Sequence, residues 1–437
     1  MRSFVAIALV MLSARIVAAQ PGTLSPEEAE AATQPPTEAT PEPGWGTYEP
    51  GFGKGLTIGN TSLGELSLSG YTLFRFIDQT GNDTFIDHLG NEQSVNRRLD
   101  ITLHRLLVYF NGWVYDPKFR YNTTLWTVLS TQQVNIIGSL SYLFHPAFQL
   151  SVGLNGLPGT RSLQNVFPFF LGTDRQLADD FFRPGFTSGI WISGTLLPGL
   201  DYIAMLGNGL SQVGIKASQL TRTLASAASI AWKPTTGEFG TRGGFGDYEE
   251  HDELATRFGV SFTHSRENAQ DQLANPSPDN TSIKLSDSVN AFQVGALAPD
   301  VQVETATFWL LAADAGFKIR GLHVQGEYYF RTLDRFDATG PLPVSTIVDT
   351  GFYVQASYFV VPRRLMLYGV TSVIFGAFGI TPWEAGGGAD VYPFHTRNMR
   401  LNVFATHVDR SPVSSLFGYY VGGETGMIYS ASADLLF

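Results

Sequence analysis

Leu322-His323-Val324-Gln325-Gly326-Glu327-Tyr328-Tyr329-Phe330-Arg331 alternates residue by residue. One face carries Leu, Val, Gly, Tyr and Phe; the other carries His, Gln, Glu, Tyr and Arg. Period two with one apolar face is the signature of a strand whose sides meet different surroundings. The pattern recurs at both ends of the chain. Met427, Tyr429, Ala431, Ala433, Leu435 and Phe437 oppose Ser430, Ser432 and Asp434, and in Phe119–Leu125 the polar face is Arg120, Asn122 and Thr124. Strand 99–115 changes phase: Leu99, Ile101 and Leu103 share one face, while Leu106, Val108 and Phe110 fall on the other. A bulge near His104-Arg105 accounts for the change.

A soluble sandwich also alternates, so connection lengths carry the decision. Strand centres near 72, 106, 123, 140, 152, 191, 203, 228, 259, 313, 326, 355, 367, 389, 403 and 431 give sixteen strands. Their connections alternate in length. Long ones are 79–98, 129–135, 158–186, 207–223, 266–305, 333–349, 374–384 and 409–425. Short ones are Asp116-Pro117, His145-Pro146, Pro198-Gly199, Arg320-Gly321, Val361-Pro362 and His395-Thr396-Arg397-Asn398. The segment 234–253 breaks the rhythm, being long where a short turn is due. Short turns at one end and long loops at the other are expected of a transmembrane antiparallel β-barrel. An even strand count returns both chain ends to one side. The expected barrel spans 56–437, with lipid tails as its outer partner and water inside.

Composition agrees. Charged residues make up 15% of the chain, against roughly 25% in soluble domains, and aromatics reach 13%. Mean hydropathy is +0.01, as a wall only half apolar should give. The absence of cysteine excludes disulfides and thiol or Cys-zinc chemistry. Net charge is −11, which argues against a nucleic-acid partner. Aromatics near strand ends, Trp113, Tyr115, Trp191, Tyr358 and Tyr368, are expected to form interfacial girdles.

Residues 1–19 read as a secretory signal peptide. Arg2 begins it, Phe4 to Ala14 is an apolar core, and Val17-Ala18-Ala19 is the cleavage site. Its removal takes away Arg2 and Arg15 and leaves a net charge of −13. Residues 20–55 are rich in Pro, Glu, Ala and Thr and read as a disordered tether. Gly51-Phe52-Gly53-Lys54-Gly55 lacks the strand–helix context of a phosphate cradle and reads as a hinge. Glu249-Glu250-His251-Asp252-Glu253 offers oxygen ligands for a divalent ion, but a solvated turn is the favoured reading. No metal or cofactor is expected. Asn280-Thr281-Ser282 matches a glycosylation sequon without meaning in a bacterial barrel.

Leu106-Leu107-Val108-Tyr109-Phe110-Asn111-Gly112-Trp113 with Asp116-Pro117 and Phe119-Arg120-Tyr121 resembles strands two and three of the phosphate-selective porin family (the O- and P-type outer-membrane porins). Leu150 through Gly159 is similar to that family's strand entering its constriction loop. Thr173-Asp174-Arg175-Gln176 and Phe182-Arg183-Pro184-Gly185-Phe186-Thr187-Ser188-Gly189 resemble its loop and exit strand. Asp201-Tyr202 through Gly209, and Trp232-Lys233-Pro234 through Tyr248, continue the likeness, which covers residues 66–265 and accommodates the long turn. The resemblance implies a sixteen-stranded homotrimeric porin with loop 158–186 folded inward, admitting small hydrophilic solutes or anions. Phe437 resembles the C-terminal signal read by the barrel-assembly machinery. Phosphate selectivity is not implied, because the family's Arg and Lys ladders meet a surplus of acids here.

In such a channel the narrowest ring sets ion preference. The expected constriction residues are Arg161, Arg175 and Arg183 with Asp174, Asp179 and Asp180, either as a transverse field or paired to pin the loop. Alternation adds Arg120, Arg257, Asp314, Lys318, Arg320, His323, Glu327, Arg331, Arg400 and Asp434 as lumen lining, a mixed set that predicts weak selectivity. The competing class is an outer-membrane barrel enzyme of phospholipase or protease type, which needs a nucleophile with an oriented base. Neither Gly-x-Ser-x-Gly nor His-Glu-x-x-His occurs.

Overall fold

The alternating segments join edge to edge into one closed cylinder, in a computed structural model that describes residues 46–128, 133–274, 281–413 and 417–437. Its sixteen strands are β1 (Gly64–Gln79), β2 (Leu99–Val114), β3 (Asp116–Val128), β4 (Gln133–His145), β5 (Phe148–Gly156), β6 (Phe186–Leu197), β7 (Leu200–Gly207), β8 (Ala225–Trp232), β9 (Ala255–Asn268), β10 (Val303–Ile319), β11 (Leu322–Ala338), β12 (Thr346–Val361), β13 (Leu365–Phe375), β14 (Trp383–Val391), β15 (Met399–Asp409) and β16 (Gly426–Leu436). Each expected strand centre falls inside one of them. Every strand pairs antiparallel with the next, and β16 returns to β1 in a register from Ile428↔Gln79 to Leu436↔Tyr71. Closure satisfies backbone groups that lipid could not.

Facing residues obey the sequence alternation because the two sides of the wall meet different surroundings. Ile101, Val134, Ile136, Val260, Tyr328 and Val403 stand exposed on the outside. An apolar belt of this extent is foreign to a soluble protein. Glu327, Tyr329 and Arg331 are buried inside. The phase change in β2 is a bulge: Leu73 pairs with Arg105 and Phe74 with Leu103, so His104 is skipped. His104 and Arg105 consequently both point inward and are buried.

Several expectations are corrected. Residues 46–55 are not tether or hinge. Tyr48–Glu49 pairs with Gly55–Thr61, and that strand pairs with Gly64–Leu68 of β1, prolonging the wall below the end of β16. The tip of this hairpin packs the half-buried Phe52 against Tyr109. The remainder of the tether and the signal segment lie outside the described residues. The β2–β3 bend is at Tyr115, which takes φ 63°, one residue before the expected Asp116-Pro117. Only residues 129–132 separate β3 from β4, fewer than expected. Trp191 and Tyr368 are buried rather than girdling the exterior, whereas Tyr115 and Tyr358 are exposed.

The seam between β1 and β16 needs one glycine. The Gly70 N–H donates to the Phe437 carbonyl at 2.6 Å, and the Phe437 N–H donates back at 2.9 Å. A Cβ on Gly70 would lie 2.3 Å from the Phe437 ring, so any larger residue there has to displace that ring.

Candidate solute path and constriction

Residues 157–185 leave β5, run almost wholly buried through the lumen and rejoin the wall at β6. They include the short helix α1 (Leu177–Phe182). This inner loop leans on one side of the barrel. The Leu177 N–H donates to Glu384 Oε1 of β14 at 2.7 Å, and the Ala178 N–H to Ser372 Oγ of β13 at 3.3 Å. The Arg161 N–H donates to Glu327 Oε1 of β11 at 2.8 Å. Phe182 stacks on Tyr329, ring centroids 4.9 Å apart. The lumen along β9–β16 is therefore filled, and the open space lies against β2–β8.

The six expected constriction residues come together on this loop, but in the pinning arrangement rather than as charges facing across a gap. Asp174 accepts from Arg105 at 2.7 Å and lies 3.4 Å from Arg75, all three side chains being buried. Arg175 lies 3.7 Å from Asp179, and Arg183 is 3.0 Å from Asp180. Arg161 donates to the Gly243 carbonyl and passes over the Phe245 ring at 5.4 Å.

Wall residues follow the same logic. Arg257 pairs with Asp314, Arg331 with Asp349 at 2.7 Å, and Arg400 with Asp434 at 2.9 Å and Asp390 at 3.8 Å. Lys318 donates to the Phe239 carbonyl at 2.9 Å, and the ring of His323 lies between those of Phe239 and Phe245. Arg120 is exposed near the turn end of β3. Arg320 is not lumenal: it sits in an exposed turn at φ 47°.

Sequence reasoning missed Arg75, Glu384 and Asp390, which strand parity could have found, and Arg242, which it could not. Arg242 belongs to the long turn 233–254. That turn enters from the end opposite to the long loops and meets the inner loop inside the barrel: the Phe245 N–H donates to the Phe169 carbonyl at 2.8 Å, and Arg242 Nε to the Phe167 carbonyl at 3.1 Å. The acidic run within it is occupied by the protein itself. Glu249 pairs with Arg397 at 2.9 Å; burial would raise its pKa, but Arg397 and Lys318 hold it down at about 2. Asp247 accepts from the Gly321 N–H at 2.7 Å and pairs with His251. Ligand atoms of Asp247, Glu249 and His251 lie within 4.8 Å of one another, yet these internal partners already fill that role. Asp252 and Glu253 are exposed.

Two cavities occupy the open side. The larger, about 660 Å³, lies towards the turn end and mixes Arg161, Lys233 and Arg257 with Asp201 and Glu238. The other, about 310 Å³, is bounded by Phe52 of the terminal hairpin and by Phe417 of the 410–425 connection. Asn155, Leu163, Asn165 and Arg242 line both. A solute moving along β2–β8 passes these four residues.

No protein-family profile matches the chain, and no curated protein sequence matches it. Solved structures share its fold. The anion-selective porin from Comamonas acidovorans superposes with a TM-score of 0.51 at 11% identity, covering 86% of this chain and 100% of that one. The outer membrane channel DcaP of Acinetobacter baumannii gives 0.51 at 11% identity, covering 86% and 99%. At such identities the likeness is one of architecture: a porin-type barrel.

Proposed function

We propose that this chain is an outer-membrane porin through which small polar or ionic solutes diffuse passively. One observation carries the reading: a closed sixteen-strand wall, apolar outside and polar inside, holds an inward-folded loop that narrows the lumen without filling it. The loop pins itself to β11–β14 and leaves the β2–β8 side as the path. Water-filled space flanked by fixed charges passes ions and polar solutes and binds them weakly.

Arg161, Asp174, Arg175, Asp179, Asp180 and Arg183 set the constriction in this reading. Arg120, Arg257, Lys318, His323, Glu327, Arg331, Arg400 and Asp434 belong to the lumen wall, with all but Arg120 and Arg257 on the side that the inner loop covers. Because most of these charges are paired, ion selectivity is weak. Membership of the phosphate-selective porin family rests on the stretches within residues 66–265, and with it come a homotrimer and recognition of Phe437 by the barrel-assembly machinery. Export rests on the signal-like residues 1–19.

The test is single-channel recording in planar bilayers under a potassium chloride gradient. Discrete conductance steps with a reversal potential near zero are expected. A purified, heat-modifiable barrel that gives no steps, or one with a tenfold preference for either ion, refutes the proposal. Chemical cross-linking in native membranes tests the trimer.

A further inference from the structure

We infer that the cavity of about 310 Å³ is a binding subsite for a small aromatic carboxylate. Resting on the porin reading, this names a solute class that the path favours.

The charge of the cavity is one-sided. Arg105, Arg175 and Arg242 line it, and among the described residues no Asp or Glu does. Arg105 shares Asp174 with Arg75, so that trio keeps a net positive charge. Arg242 donates to the Phe167 carbonyl and lies 3.4 Å from Asn165 Oδ1; it has no carboxylate partner among the described residues. Guanidinium forks bind carboxylates with two parallel hydrogen bonds.

Besides Nε of Arg105, two polar atoms in the lining lack partners among the described residues. Among the described residues, the Trp126 indole N–H and the Tyr109 hydroxyl are buried without a hydrogen bond, both residues being 4% exposed. A buried donor left unmade is costly, and such groups in a native structure call for an explanation. Two donors beside surplus positive charge ask for an acceptor-rich, anionic ligand.

Six aromatic rings, with Leu107, Ile137, Leu163 and Val166, make up the apolar part of the lining, which separates an organic acid from an inorganic anion. Trp126 has Phe417 edge-on at 5.3 Å and Phe186 at 6.3 Å. Phe52 packs on Tyr109 at 5.0 Å and lies beneath the Arg242 guanidinium at 4.0 Å. Such walls replace little of a hydrated inorganic ion's solvation, but they match the face and edge of a ring. The volume lies at the lower end of ligand sites, roughly 300–1,000 Å³, which suits a single-ring acid. Phe52 and Phe417 come from opposite ends of the barrel, so the subsite lies along the path and not in a surface dimple.

Benzoate is the probe. Equilibrium dialysis of radiolabelled benzoate against the detergent-solubilised barrel should show saturable binding, and benzoate should interrupt single-channel current in a concentration-dependent way. Benzyl alcohol and cyclohexanecarboxylate, which lack the charge and the aromaticity respectively, should compete poorly. Arg242→Gln should weaken benzoate by about tenfold. Trp126→Phe, which keeps the ring and removes the donor, should weaken it less. Heat-modifiable mobility confirms that each variant folds. Conductance steps without benzoate binding, or equal binding by the wild type and Arg242→Gln, overturn the subsite and leave the porin reading standing. Displacement by inorganic phosphate as effective as by benzoate overturns it in favour of a simple anion site. Benzoate binding without conductance would sustain the subsite and refute the porin.

Discussion

Asp174→Asn should act on selectivity and stability together, by different amounts at different salt. Asp174 is the one acid between Arg75 and Arg105, and Arg105 lines the smaller cavity. A solute anion resting on the far side of the Arg105 guanidinium would sit roughly 6 Å from Asp174, given the 2.7 Å ion pair and a similar contact beyond it. Two unit charges at that separation interact by about 2.8 kcal/mol at an effective dielectric of about 20. Screening over a Debye length of about 8 Å roughly halves this, to about 1.3 kcal/mol. Removing the repulsion should favour anions by up to about ninefold. The same change leaves two buried guanidiniums without their counter-charge, which costs about 3–5 kcal/mol of stability. Reversal potentials measured near 0.1 M and 1 M potassium chloride, with the temperature of the heat-modifiable gel shift, read the two effects separately. The anion shift should shrink at the higher salt, while the lowered transition temperature persists. A folded Asp174→Asn channel with unchanged reversal potential at low salt would refute the reasoning.

Phe52→Ala removes a ring pair and a cation–π contact together worth about 1–3 kcal/mol; single-channel conductance should rise, and an unaltered step size would show that the hairpin tip does not bound the path. Gly70→Ala forces a Cβ against the Phe437 ring at the seam, an overpacking worth about 1–3 kcal/mol. Refolding into detergent should slow, and Phe437→Ala in the same chain should restore the rate; additive defects in the double variant count against a steric seam. Burial alone would depress the pKa of His251, but its hydrogen bond to Asp247 and the charges of Asp247 and Glu238 raise it above the usual value. A raised value in the folded state stabilises the turn 233–254 below the ordinary imidazole pKa and loses that contribution as pH climbs through the raised one. Histidine NMR should show His251 titrating above about 6.5, and Asp247→Asn should bring it down; protease cutting of the turn should quicken at alkaline pH in the wild type.

How much was legible follows from where two solvents meet. Leu322–Arg331 could be read residue by residue because lipid and lumen impose opposite demands on neighbours. The same rule located the bulge at His104-Arg105, since one extra residue is the cheapest way to swap faces. It failed in Tyr71–Ile77, where Leu73 and Ile77 are buried inside while Phe74 is exposed outside: packed loops make the inner face apolar too, and Arg75 is hidden among hydrophobic residues on both sides. Trp191 and Tyr368 were assigned by nearness to a strand end, although parity sets them inward. Loop interiors carry no period. Arg242 and Phe52 reach the lumen through an irregular turn and a glycine-rich hairpin, where nothing in the residue order announces direction. The six charges could be placed on the inner loop from the residue order, but composition cannot tell charges that face each other across water from charges that neutralise one another in contact.

The bond between Tyr71 and Asp434 joins residues 363 positions apart. Until the distal part of the chain is in place, β1 has no partner on one flank, and every earlier strand added leaves a fresh exposed margin able to recruit a stranger. The time taken to deliver the polypeptide thus sets the period of vulnerability. Any truncation upstream of β16 yields not a smaller barrel but an adhesive open sheet.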